Sequence, residues 1–330
     1  MMAERIFVTG GSGFLGRELI ERLKGEGAEV RALARSVKAE RAVRSAGAKV
    51  VRGDVSDLAA MTEGMRGCDA VVHSAALADD WGDPANFHAV NVEGTKTVIQ
   101  AARDAGVPRL THVSTEAVLL DGNPLHLVTE DAPVPERAIG LYPESKRQAE
   151  VLALAASSPE LAVMVVRPRL IWGHGDTTLM PVLRVMVAEG RFRWVGGGRH
   201  LTSTCHVRNC CEGLLLATRV GKGGEIYHLT DGDPLEFRTF LTQLLGTQGV
   251  VPGKGGVPLG LARAAAWTAE ALWGVLPLSG APPITRTAVL LSGQEMTLSD
   301  TKARRELGYQ GLVSLAEGLE ELARSTYPPP

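Results

Sequence analysis

Tyr142 and Lys146 stand four residues apart in the segment Tyr142-Pro143-Glu144-Ser145-Lys146. If a helix begins at Tyr142, that spacing sets both side chains on one face. A phenol there can take a proton from a substrate hydroxyl as hydride leaves its carbon, or return one to a developing alkoxide. The lysine charge would favour phenolate, lowering a pKa that is ordinarily about 10. Thr115, at a predicted strand end, offers a hydroxyl that can orient the same oxygen. A Tyr-x-x-x-Lys spacing is common, so this chemistry needs a hydride carrier encoded elsewhere in the chain.

The segment Ile6-Phe7-Val8-Thr9-Gly10-Gly11-Ser12-Gly13-Phe14-Leu15-Gly16 supplies the place for one. It reads as a strand, a glycine turn and a helix start. Gly10 lets the chain leave the strand, Gly13 lets a pyrophosphate approach the main chain, and Gly16 lets the helix pack closely. The free N–H groups of the first turn, around Phe14 and Leu15, then face the phosphates. The next strand, Glu29 to Ala34, ends in Arg35-Ser36 where many dinucleotide sites carry an acid for the ribose 2′-hydroxyl. Arg35 can pair a 2′-phosphate, with Ser36 and Lys38 assisting, which favours NADP(H) while leaving NAD(H) open. Asp54, followed by Val55, is placed to accept a bond from an adenine amino group.

These groups need a scaffold that brings them to one edge. Further strand patterns cover Lys49 to Arg52, Ala70 to His73, Leu110 to Val113, Leu161 to Arg167 and Glu225 to Leu229. Helical patterns lie between them, notably Phe87 to Asp104 and Glu144 to Ala156. The alternation predicts a doubly wound parallel α/β sheet with its ligand crevice at the carboxyl ends of the strands. His73-Ser74-Ala75-Ala76, Ser114-Thr115 and Arg167-Pro168-Arg169 all fall at that edge. Ser74, Ala75, Ala76 and Pro168 are therefore expected cofactor contacts, along with Tyr142 and Lys146. Beyond residue 168 the pattern is less regular, with helices predicted over Met180 to Glu189, Arg238 to Leu245 and Leu261 to Trp273. The expected division is 1–168 for cofactor, with strand 225–229 returning to it, and 169–330 mostly for substrate. The substrate lobe is thus smaller and discontinuous.

The 330 residues are 45% hydrophobic and 22% charged, with a net charge of −2. That permits a large core and argues against nucleic acid as a partner. Cys68, Cys205, Cys210 and Cys211 lack zinc-ligand spacing, so no metal site is expected and buried structural thiols are. The first apolar segment is the cofactor strand rather than a signal peptide, which points to the cytoplasm. The run Ala264 to Ile284 contains Glu270, Pro277, Pro282 and Pro283, which break a membrane span. It reads as a helix and connector over an apolar pocket; contact with a membrane surface is the lesser alternative. The tail 327–330 is expected to fray.

Together, Thr9 to Gly16, Gly53-Asp54, His73 to Ala76, Asn91-Val92-Glu93-Gly94-Thr95, Ser114-Thr115, Tyr142 to Lys146 and Arg167-Pro168 resemble the extended short-chain dehydrogenase/reductase superfamily. The resemblance covers nearly the whole chain, down to Tyr309. It implies a Rossmann domain, Tyr142 as acid/base, Lys146 as its partner, Thr115 rather than Ser114 at the catalytic hydroxyl position, and a homodimer built on the helices near Phe87 to Asp104 and Glu144 to Ala156. Asn91 is implied to hold backbone between helix and strand.

The segments Arg167 to Asp176, Gly196 to Gly198, Cys205 to Val207 and Tyr227 to Asp231 look most like the 3β-hydroxysteroid dehydrogenase branch. Sterol-4α-carboxylate 3-dehydrogenases and 2-alkyl-3-oxoalkanoate reductases share this pattern. The function so implied is NAD(P)-linked interconversion of a secondary alcohol and a ketone on a bulky apolar substrate. The alternatives are a sugar-nucleotide epimerase or dehydratase, and a non-enzymatic dinucleotide sensor. The sugar-nucleotide enzymes usually carry asparagine where this chain has Leu170, and a sensor would tend to lose Tyr142 or Lys146. His73 is expected to pack near the cofactor. Glu116 could face pocket or solvent, Arg169 a substrate carboxylate or an ion pair, and Trp81, Trp172 and Trp194 the pocket or the core.

Overall fold

The computed structural model describes residues 3–276 and 278–325; the tail 327–330 and Pro277 lie outside the described residues. Parallel strands build the main sheet: β1 (Arg5–Thr9), β2 (Glu29–Ala34), β3 (Lys49–Arg52), β4 (Ala70–His73), β5 (Arg109–Val113), β6 (Ala162–Pro168) and β7 (Ile226–Leu229). Their spatial order is β7-β6-β5-β4-β1-β2-β3. The winding direction reverses between β1 and β4, which opens a crevice beyond their carboxyl ends.

Strand β1 shows how sequence makes this sheet. Ile6, Phe7 and Val8 are all fully buried. Ile6 and Val8 pack on one face with Leu19, Ile20 and Leu23 of the helix Phe14–Gly25. Phe7 packs on the other with Met61, Val98 and Ile99. A strand whose neighbours on both faces are helices must be apolar throughout. Each such side chain contributes about 1.5–3 kcal/mol by leaving water. The helix Val207–Val220 shares the first face, and Gly94–Asp104 and Leu141–Ala155 cover the second. Strand β7 pairs with β6 in parallel, Ile226 opposite Val165.

Outside this sheet, a four-stranded one is ordered Leu235–Glu236, Leu201–Thr202, Met296–Leu298, Leu125–Val128. Its last strand comes from the chain ahead of β6. Beside it, Trp172, Trp194, Phe240 and Leu244 centre an apolar cluster with the helices Leu179–Ala188 and Phe237–Gly246. Among the described residues, no helix is long and apolar enough to cross a membrane.

The structure splits the single helix predicted over Phe87 to Asp104. A short helix Pro84–Phe87 passes into a π-helical segment, His88–Glu93, before the α-helix Gly94–Asp104. The wider π turn is a local departure often found at functional sites. Here it carries Asn91, whose amide accepts from the Leu77 backbone N–H at 2.7 Å and donates to the Leu77 carbonyl at 2.9 Å. Its Nδ2 also donates to Ser145 Oγ at 2.8 Å.

Candidate active site

The turn after β1 is closed by a bond from Gly13 N–H to the Gly10 carbonyl at 3.0 Å. Gly10 has φ +73°, and a Cβ there would lie 2.7 Å from Ala75 N. A Cβ on Gly16 would lie 2.2 Å from the Gly10 carbonyl oxygen. Gly13 is the N-cap of the helix Phe14–Gly25, and no side chain caps it. The first-turn N–H groups are therefore left for an external acceptor.

A cleft of about 400 Å³ adjoins this turn. Of the residues expected there, Gly10, Gly13, Arg35, Ser36, Asp54, Val55, Ser74, Ala75 and Ala76 line it. Gly16, Phe14 and Leu15 stand behind, with Phe14 buried and Leu15 packed against the core. Pro168 is buried at the carboxyl end of β6, outside the cleft lining. Ser12, Leu77 and Val90 also line the cleft. Val90 lies on the π-helical segment, which a regular helical period could not place. Arg35 is exposed, with one guanidinium nitrogen 3.9 Å from Asp54 Oδ2. Ser36 Oγ accepts from Ala39 N–H at 3.2 Å and so caps the next helix. The uncapped turn, the glycine cradle and the guanidinium at the far end fit a dinucleotide phosphate backbone.

The helix Leu141–Ala155 starts one residue before Tyr142, so Tyr142 and Lys146 share a face. A buried pair pins this helix to the sheet. Glu150 binds both Arg167 Nε, at 2.9 Å, and Arg167 Nη2. Ser114 Oγ donates to the same carboxylate at 2.5 Å. Ser114 and Arg167 are thereby committed to structure, whereas Thr115 Oγ1 donates to Glu116 Oε2 at 2.8 Å. Ser145 Oγ donates to the Tyr142 carbonyl at 2.8 Å. Asn91 thus ties the Tyr142 helix to the chain leaving β4.

The expectation that Lys146 lowers the phenol pKa needs correction. Lys146 Nζ donates to the Val113 carbonyl at 2.7 Å and to His112 Nε2 at 3.2 Å. Burial pulls its ammonium down to about 8, with Glu150 acting the other way. The Tyr142 phenol is pushed above its ordinary range, by burial first and then by the Glu116 carboxylate. The site therefore holds a neutral phenol. The four-residue spacing delivers a shared face, but the lysine head turns to the end of β5.

His73 is saturated, with Nδ1 at 2.7 Å from Thr9 Oγ1 and Nε2 at 3.0 Å from Thr95 Oγ1. Burial lowers its pKa to about 3. It links β1, β4 and the helix Gly94–Asp104 beside the cleft. Glu116 and Arg169 face each other, buried, at 2.9 Å. Trp172 and Trp194 belong to the core, their indole N–H groups donating to Asp231 and to the Gly253 carbonyl. Trp81 instead lines a second cavity of about 1040 Å³ together with Phe87, Ile139, Leu141, Trp267 and Trp273. Trp267 and Trp273 come from the helix Leu259–Val275, within the apolar run expected over a pocket. Asp80 also lines it and acts electrostatically on the Tyr142 phenol.

Residues 6–230 match the NAD dependent epimerase/dehydratase family. The chain is 51% identical to the 4-hydroxy-2-methyl-3-oxo-4-farnesyl-3,4-dihydroquinoline-1-oxide ketoreductase of Stigmatella aurantiaca, over 97% of this chain and 96% of that protein. It is 31% identical to the decarboxylating sterol-4-alpha-carboxylate 3-dehydrogenase of Dictyostelium discoideum, over 97% of this chain and 100% of that one. Among solved structures, the dTDP-glucose 4,6-dehydratase DesIV of Streptomyces venezuelae, with NAD and TYD bound, superposes with a TM-score of 0.77 at 27% identity. That match covers 97% of this chain and 96% of the other. The chain belongs to the NAD dependent epimerase/dehydratase family, within the extended short-chain dehydrogenase/reductases, and is an NAD(P)-dependent oxidoreductase.

Proposed function

We propose that the enzyme interconverts a secondary alcohol and a ketone on a bulky apolar substrate, with NADP(H) favoured and Tyr142 as acid/base. The observation that carries this reading is that the helix Leu141–Ala155 sets Tyr142 and Lys146 on one face while its residues Leu141, Glu144 and Ser145 line the Trp-walled cavity. The bound nicotinamide supplies or accepts the hydride at the substrate carbon. In reduction Tyr142 gives its proton to the carbonyl oxygen, and in oxidation it takes one from the hydroxyl. Thr115 orients that oxygen. An ammonium has three N–H groups, and Val113 and His112 engage two on Lys146. The third is available to a ribose hydroxyl.

The apolar part of the proposal draws on the cavity walls and on the substrates named for the farnesyl quinoline ketoreductase and the sterol dehydrogenase. The competing reading is a sugar-nucleotide epimerase or dehydratase. Against it, Leu170 holds a left-handed backbone with φ +45°, which asparagine adopts more readily. Its apolar side chain packs with the Trp172 cluster instead of offering an amide. A panel of fused-ring ketones, long-chain 3-oxo acids and nucleotide sugars tests the choice. The expected result is NADPH consumption with the ketones and no binding of nucleotide sugars. Nucleotide-sugar binding without net cofactor turnover would select the competitor.

The NADP(H) preference rests on Arg35, with Lys38 on the same cleft. A bidentate guanidinium–phosphate contact is worth roughly 1.5–3 kcal/mol. Arg35→Ala should accordingly weaken NADPH by about 10–100-fold and NADH by less than about threefold, read from dissociation constants. Equal losses for both would remove the 2′-phosphate assignment.

The same proposal assigns 1–168 with β7 to cofactor and most of 169–330 to substrate. It includes a homodimer through the helices Gly94–Asp104 and Leu141–Ala155, and a cytoplasmic setting that suits four buried free thiols.

A further inference from the structure

Lys146 is held by a residue outside the expected constellation. Strand β5 alternates its side chains between the two faces of the sheet. Thr111 Oγ1 meets Thr218 Oγ1 of the helix Val207–Val220 at 2.8 Å. His112 therefore lies on the other face, under the helix that carries Tyr142 and Lys146. It is fully buried, and its Nε2 lies 3.2 Å from Lys146 Nζ. Lys146 itself is 3% exposed. Burial draws its pKa down to about 8. Below that pH it is an ammonium, with three N–H donors and no lone pair. His112 must then accept at Nε2 and carry its proton on Nδ1. That Nδ1 has no partner among the described residues. A buried donor without an acceptor is destabilising, so a histidine kept here points to a role for Nε2.

The neighbouring groups are otherwise engaged. The Glu150 carboxylate, one turn along from Lys146, is taken by Arg167 and Ser114. His73 lies 5.2 Å from His112, ring centre to ring centre. Thr95 Oγ1 donates to the Asn91 carbonyl at 2.6 Å, so it accepts from His73 Nε2. Thr9 Oγ1 bonds the other nitrogen of that ring. The Val113 carbonyl and His112 Nε2 are thus the acceptors on the Lys146 ammonium.

We propose that His112 is a positioning residue for Lys146: with the Val113 carbonyl it grips two N–H groups and leaves the third aimed at the nicotinamide-side ribose. The proposal rests on reading Lys146 as the ribose contact and is independent of the acid/base role of Tyr142. His112 acts only through Lys146.

ADP-ribose keeps that ribose and ADP lacks it, so the two ligands separate this contact from binding of the adenosine half. Dissociation constants are measured by calorimetry for wild type, H112L, H112Q and Lys146→Met. H112L removes the acceptor, whereas H112Q keeps one near the Nε2 position. H112L should bind ADP-ribose about 10-fold more weakly and ADP within about twofold of wild type. H112Q should stay within about threefold for both. A merely structural histidine would neither separate the two ligands nor be rescued by glutamine. Normal ADP-ribose binding in H112L, equal losses for both ligands, or equal losses in H112L and H112Q overturns the proposal. If H112L does not fold, H112N takes its place, because its amide reaches only the Nδ1 position, and the same outcomes decide. Lys146→Met should lose at least as much ADP-ribose affinity as H112L. If it loses while H112L does not, His112 alone is ruled out. If it binds ADP-ribose normally, the ribose role of Lys146 falls, and the aim assigned to His112 with it. Turnover by Tyr142→Phe is read separately, so the acid/base reading stands or falls apart from these ligands.

Discussion

The Tyr142→Phe variant is expected to lose about 10²–10⁴-fold in turnover while its dissociation constant for the nicotinamide cofactor stays near the wild-type value. On the proposed reading, the phenol oxygen moves the proton at the substrate oxygen. The ring makes the packing contacts, and phenylalanine preserves them. The Thr115 hydroxyl keeps its bonds to Glu116 and Ala117. The cleft lies chiefly across the glycine turn and the ends of β2 and β4, and Tyr142 is not among its lining residues. Steady-state kinetics with cofactor fluorescence titration separates the two effects. Unchanged turnover would end the acid/base assignment, and parallel loss of cofactor binding would make Tyr142 structural.

Gly10→Ala is expected to weaken cofactor binding by at least about 100-fold and to lower stability. Two costs combine at this position. A left-handed backbone costs a residue with a Cβ about 1–2 kcal/mol. The new methyl would also lie 2.7 Å from the Ala75 N and Ser74 C atoms, both backbone, so neither can swing aside. Forcing them apart adds about 1–3 kcal/mol. The displaced segment carries Ser74, Ala75 and Ala76, which line the cleft with Gly10 itself. Cofactor titration checks the binding effect, and urea unfolding the stability effect. Near-normal binding by the alanine variant would show that the turn is not the phosphate cradle.

The sheet was legible because its signals are local. Apolar runs of four to seven residues, separated by helical periods, give the strands to within a residue or two. The Phe87 to Asp104 region departed from its pattern because a π turn breaks a 3.6-residue period without a distinctive residue. The cleft was legible through its glycines and Arg35, while Val90 was hidden by that same turn. Lys146 misled for a different reason. Spacing sets which side of a helix a residue occupies, but the partners of a long flexible side chain depend on what the facing strand offers. That strand offers the Val113 carbonyl and a neutral His112, and the buried ammonium takes both.

By itself, the sequence determined the glycine turn, the order of strands and helices, and the joint presence of Tyr142, Lys146 and Thr115. Those follow from glycine conformational freedom and from periodicities set within a few residues. Only the tertiary structure decided that Glu116 meets Arg169, 53 positions away, and that Ser114 serves Glu150 while its neighbour Thr115 serves Glu116. It also set Trp81 against Trp267 and Trp273 around one cavity. Such pairings come from the closing of the sheet and the packing of distant segments. A buried charge must find its counter-charge wherever the fold brings one, and no local pattern records where that is.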